Sequence, residues 1–115
     1  MKAALSALAS VALLGCGATT THYVQTGAAA APYPGEVRIV MEASPAPAGF
    51  VEIAIVQAVG KGTHADLEHV IGGLQSEAAA LGCDTIVRVR VDQGANQASA
   101  TGVCGVVRVP VSAVP

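Results

Sequence analysis

Hydrophobic and polar positions divide this chain into stretches of different period, and each period predicts an element. From Glu36 onward, Val37, Ile39 and Met41 alternate with Arg38 and Glu42, which predicts a strand with one buried face, blurred only by Val40. Ser44-Pro45-Ala46-Pro47-Ala48-Gly49 breaks the pattern as a Pro-rich connection. Phe50 to Val59 is dense in Val and Ile and predicts a second strand, with Val51, Ile53, Ile55 and Val59 on one face and Phe50, Glu52, Ala54 and Val56 on the other. The period then becomes helical. Leu67, Val70, Ile71, Leu74, Ala78 and Leu81 recur at intervals of three and four as one apolar stripe. Thr63 is the expected N-cap, with Asp66 placed to reach back to it, and Gly82 is the expected left-handed terminator. Gly72 and Gly73 fall on the solvent side of this wheel, where each costs about 1 kcal/mol relative to Ala, which suggests a bend or a contact surface.

Alternation returns after the helix. Thr85, Val87, Val89 and Val91 face one way, and Ile86, Arg88 and Arg90 the other. Asp92 to Thr101 is polar and reads as a hairpin loop, and Gly102 to Val109 as the last strand. The expected fold is α+β with order ββαββ, one helix packed on a four-stranded antiparallel or mixed sheet. It spans residues 36–110, with a short tail at 111–115.

The segment before this domain has no such period. Met1 and Lys2 give a small positive start, and Ala3 to Leu14 form an apolar run too short to cross a bilayer. The run closes on Leu13-Leu14-Gly15-Cys16, which resembles the lipobox of bacterial lipoproteins. The resemblance implies that residues 1–15 are a removable signal peptide. It also implies a diacylglycerol thioether on Cys16 and an amino group acylated with palmitate or a similar chain. Gly17 stands where an Asp would favour the inner membrane, so in a Gram-negative cell the implied location is the outer membrane, facing the periplasm. Residues 16–35 then read as the lipidated Cys and a flexible Ala, Pro, Gly and Thr tether, reaching roughly 25 Å as a coil.

Composition narrows the partners. The formal net charge is -2, aromatic residues make up 3% of the chain and Trp is absent, so there is neither a basic footprint nor a stacking platform for nucleic acid. Removing residues 1–15 leaves about 100 residues, enough for one small domain with an aliphatic core. Of the three cysteines, one is assigned to lipid, which leaves Cys83 and Cys104 as a disulfide pair in an oxidising compartment. Closing a loop of that size contributes about 3 kcal/mol in the chain-entropy model. Strand parity opposes this pairing if Val103 and Val107 point inward, unless a bulge at Gly105 reverses Cys104.

The stretch Glu77-Ala78-Ala79-Ala80-Leu81-Gly82-Cys83-Asp84-Thr85-Ile86-Val87 turns a small-residue helix end through Gly into a Val-rich strand. It resembles small envelope lipoprotein domains of the RcsF type, and related domains described as heavy-metal-binding, over roughly residues 36–109. RcsF-type proteins sense envelope stress at the outer membrane and carry two disulfides, whereas this chain has cysteines for one once Cys16 is lipidated. The likeness therefore specifies fold better than function.

Two clusters are candidate sites. Arg38, Arg88 and Arg90 are expected on the sheet face away from the helix, where forked guanidinium groups suit a partner protein, anionic headgroups or peptidoglycan. The competing account is cross-strand charge pairing on a solvated face. His64, Glu68 and His69 crowd the helix start, and His64 with Glu68 at i, i+4 offers two ligands, a weak metal site. No nucleophile elbow, phosphate loop or HExxH occurs, so no catalytic residues and no cofactor are expected. The expected function is that of a lipid-anchored envelope protein with a non-catalytic binding or sensing domain. The alternative is a periplasmic metal- or small-ligand-binding domain using the segment from His64 to His69.

Overall fold

The computed structural model describes residues 17–108. The expected signal peptide, Cys16 and the tail at 111–115 lie outside the described residues. In chain order the elements are β1 (Ala18–Gln25), β2 (Arg38–Met41), β3 (Phe50–Lys61), a 3-10 turn (Gly62–His64), α1 (Leu67–Ala80), β4 (Thr85–Gln93) and β5 (Gln97–Val107). The strands form one sheet in the order β1-β3-β5-β4-β2. Every neighbouring pair is antiparallel except β2 with β4, which is parallel, so the sheet is mixed. The α+β class with one helix on a sheet is as the periodicity predicts, but the sheet has five strands rather than four.

The additional strand comes from the segment expected to be a tether. Ala18-Thr19-Thr20-Thr21-His22-Tyr23-Val24-Gln25 pairs along its whole length with β3. Its β-branched and aromatic residues favour extended backbone, but as an edge strand it buries little and so lacks an apolar face. The rest of the segment is also tied down. Thr26 and Gly27 donate their N–H groups to Ile53 O, Ala30 to Leu81 O and Tyr33 to Ala79 O, so the chain straps the C-terminal end of α1 before entering β2.

Helix α1 starts later than expected. Its N-cap is Asp66, whose side chain accepts the His69 N–H at 2.8 Å, while Thr63 belongs to the 3-10 turn. At the other end, Gly82 (φ +88) donates to Ala79 O and Cys83 to Ala78 O, the paired bonds of a Schellman motif. Val70, Leu74 and Ala78 are fully buried, whereas Leu67, in the first turn, is 52% exposed.

The helix packs on small side chains. Ala54, Val56 and Ala58 of β3, Ala98, Ala100 and Cys104 of β5, and Ile86 and Val89 of β4 join Val70, Leu74 and Ala78 in one core. Cys104 therefore faces inward, with the alanines of β5, and forms the disulfide with Cys83 across a Cα–Cα distance of 5.6 Å. The parity difficulty rested on the valines of β5 pointing inward, and they do not fill this core position.

Two bulges account for the misassigned strand faces. In β3, Ile53 is the extra residue between the pairs Glu52–Gly105 and Ala54–Cys104, so Ile53 and Ala54 are both buried. Ile55 then turns outward and is 45% exposed, which corrects the expected face of Val51, Ile53, Ile55 and Val59. In β4, Arg88 and Val89 occupy the interval between the pairs Val87–Val103 and Arg90–Thr101, opposite Gly102. Val87 and Val89 consequently do not share a face. A Cβ on Gly102 would lie 2.6 Å from Ile86 Cγ2 and 3.1 Å from Val89 Cγ2, so the bulge closes over a residue without a side chain. The expected hairpin loop of 92–101 shrinks to residues 94–96, because its Ala and Ser positions continue the strands.

Candidate functional site

Of the three arginines expected to act together, Arg38 lies apart from Arg88 and Arg90. Arg38 pairs with Thr85 at one end of β4, and Arg90 lies five residues further along that strand, about 17 Å away at strand rise. Arg90 sits 3.7 Å from Glu42, with both side chains more than 60% exposed, a weak ion pair. Arg88 is held at φ 54, the only non-Gly residue with positive φ among those described, because the β4 bulge requires it. Its side chain, with Phe50, Glu52, Val87 and Val103, lines a small hollow of about 220 Å³ on the face away from α1. The row Val24, Ile55, Val103 and Val87 crosses that face in register, with Val24 65% and Ile55 45% exposed. This apolar row is hidden in the sequence because Val24 falls in the expected tether and simple alternation puts Ile55 on the same face as Ile53, which is buried.

The helix start has a different geometry from the one its spacing suggests. His64 lies in the 3-10 turn and Glu68 in α1, so they are not i, i+4 neighbours on one helix. Instead the rings of His64 and His69 stack, with centroids 4.0 Å apart and planes 19° from parallel. Each ring has an oxygen partner at Nδ1. His64 Nδ1 shares a hydrogen bond with Thr19 Oγ1 of β1 at 2.8 Å, and His69 Nδ1 donates to the Asp66 carboxylate at 2.8 Å. The His69 backbone N–H, then its ring, hold the Asp66 carboxyl below the ordinary carboxylate range. Among the described residues no group of three or more His, Cys, Asp or Glu side chains converges as a metal site. Alongside this pair, Leu67, Ile71, Gly72 and Gly73 line an open groove together with His69 and Thr19. Gly73 is not on the solvent side: a Cβ there would lie 2.8 Å from Thr19 Cγ2 and 3.3 Å from Ala58 Cβ, so α1 rests against β1 at this point. Gly72 does face open space.

One more feature sits at the same end of the molecule. Gly17, at φ +87, is wedged between the end of β3 and the 3-10 turn, where a Cβ would lie 2.6 Å from Lys61 O and 2.7 Å from Thr63 N. The residue directly after Cys16 is thus already part of the fold. No helix among the described residues is long and apolar enough to cross a membrane.

No protein-family model matches the sequence, and no curated protein matches it. Among solved structures, the chain is similar to the crystal structure of a Francisella virulence factor, FvfA, in its orthorhombic form. The TM-score is 0.52 at 17% identity, over 76% of this chain and 97% of that one, a similarity of fold alone.

Proposed function

We propose that this chain is a lipid-anchored protein of the bacterial cell envelope, with a small disulfide-bonded domain that binds or senses rather than catalyses. The observation that supports it most is the packing of the residue next to Cys16. Gly17, directly after the cysteine of Leu13-Leu14-Gly15-Cys16, already lies against the end of β3 and the 3-10 turn, and β1 starts at Ala18. The Cys83–Cys104 disulfide suits an oxidising compartment outside the cytoplasm. With diacylglycerol and a further acyl chain on Cys16, anchoring is stable, whereas one chain gives only marginal binding. In a Gram-negative cell the proposed site is the outer membrane facing the periplasm, with another envelope protein or peptidoglycan as the partner. Replacing Cys16 by Ser is expected to release the protein from the membrane fraction; retention of that variant would contradict the proposal.

A second reading, binding of a divalent metal, is favoured by the histidine pair. Asp66 orients His69 through Nδ1, as carboxylates behind metal-bound histidines do. Calorimetric titration with zinc, copper and nickel tests it. Saturable heat lost on His64→Ala and on His69→Ala supports metal binding, and absence of heat removes it.

A further inference from the structure

We infer that the end of the domain formed by Gly17, Lys61, the 3-10 turn Gly62–His64 and the β4–β5 hairpin lies directly against the bilayer headgroups. This rests on the lipid-anchored reading and adds an orientation to it. The residues expected to form a tether are instead β1 and the strap that follows it. Cys16 is one peptide from Gly17, about 3.8 Å between Cα atoms, and Gly17 lies so close to Lys61 and Thr63 that there is no room for a Cβ. Acyl chains on Cys16 enter the hydrocarbon, which places the glycerol at headgroup level and leaves no slack between it and the sheet.

The register states which residues share that end. Ala18 pairs with Lys61, and Lys61 pairs with Gln97, so the start of β1, the end of β3 and the start of β5 lie side by side within about 10 Å. The Gly62 N–H donates to Asn96 O at 3.2 Å, which ties the 3-10 turn to the hairpin. Lys61 is exposed here, on a stem long enough to lie along an apolar boundary with its ammonium in the headgroups. Leu67, 52% exposed in the first turn of α1, adds an apolar side chain close by. The opposite end of the molecule, marked by Phe50, is eleven residues away along β3, about 36 Å, beyond the headgroup layer. The partner is therefore a lipid surface, and the outer sheet face stands edge-on to it, free for a second partner.

The sequence contains no Trp, so a single introduced indole reports on its own surroundings. Ala95→Trp marks the hairpin tip and Ala48→Trp the loop before β3, both at exposed positions. The mature lipidated protein is placed in phosphatidylcholine vesicles whose acyl chains are brominated close to the headgroup. The expected result is strong quenching and a blue shift for Ala95→Trp and none for Ala48→Trp. Inserting a flexible Gly-Ser segment between Gly17 and Ala18 is expected to abolish the quenching. Gln93→Trp gives the same readout if the tip variant fails to fold. Protein that floats with the vesicles while both indoles emit as in unbrominated lipid overturns the orientation and leaves the anchor standing. Lipid-free protein that does not float overturns the anchored reading itself.

Discussion

Gly72 and Gly73 are adjacent, yet their surroundings give them opposite roles. Gly72→Ala adds a methyl to open space and replaces a poor helix former, so it is expected to raise stability by about 0.5–1 kcal/mol. Gly73→Ala drives the same methyl toward Thr19 Cγ2 and Ala58 Cβ, and overpacking of about 1–3 kcal/mol outweighs the propensity gain. Urea denaturation of the two variants checks this, and equal shifts in midpoint would mean that β1 does not lie against the helix. Asp66 carries a pH signature. Hydrogen bonds from the His69 N–H and ring lower its folded pKa, so its contribution is present above the ordinary carboxylate range and is lost as pH falls through the lowered value. Asp66→Asn is therefore expected to lose less stability than the parent protein on acidification across that range, read by thermal unfolding at stepped pH. Parallel curves would contradict the cap.

Removing the disulfide by Cys83→Ser with Cys104→Ser is expected to cost about 3 kcal/mol, measured by urea unfolding against the oxidised protein. A loss near zero would mean that the link does not constrain the unfolded chain. Both bridge residues were legible from cysteine arithmetic alone, because position in the chain decided which cysteine stood apart. Helix α1 was legible from its apolar period and from Gly82, whose left-handed turn is visible as a residue type. The cap was not. Thr63 and Asp66 are both competent caps, and the choice between them is made by the 3-10 turn, which has no sequence period. Strand faces failed at Ile53 and Arg88 for a related reason: one extra residue reverses alternation, and a bulge depends on the partner strand, here on Gly102 and Gly105. The same dependence hid β1. Thr19, Thr20 and Thr21 have strand propensity, but only β3 and Gly73 supply the surface they lie on. Deleting residues 18–25 is accordingly expected to abolish cooperative unfolding, followed by circular dichroism, whereas a dispensable tether would leave the transition unchanged.

At the scale of the whole molecule, the fold places the histidine pair and Gly17 at one end and leaves a sheet face uncovered along the side. The histidine pair, joined to β1 through Thr19, lies at the end where the chain leads toward Cys16. The arginines proved less legible as a site than as single residues, because distance along β4 separates Arg38 from Arg90 in a way that a list of cations does not contain. If the short link to Cys16 governs orientation, lengthening it frees the domain without detaching it. All of this depends on the lipid, and mass spectrometry of the membrane-extracted protein tests it most directly. After residues 1–15 are removed, the first tryptic site is Arg38, so the N-terminal peptide runs from Cys16 to Arg38. The account predicts this peptide with the added mass of a diacylglycerol and an amide-linked acyl chain. The same peptide with a free thiol and amine, or a chain still beginning at Met1, would contradict it.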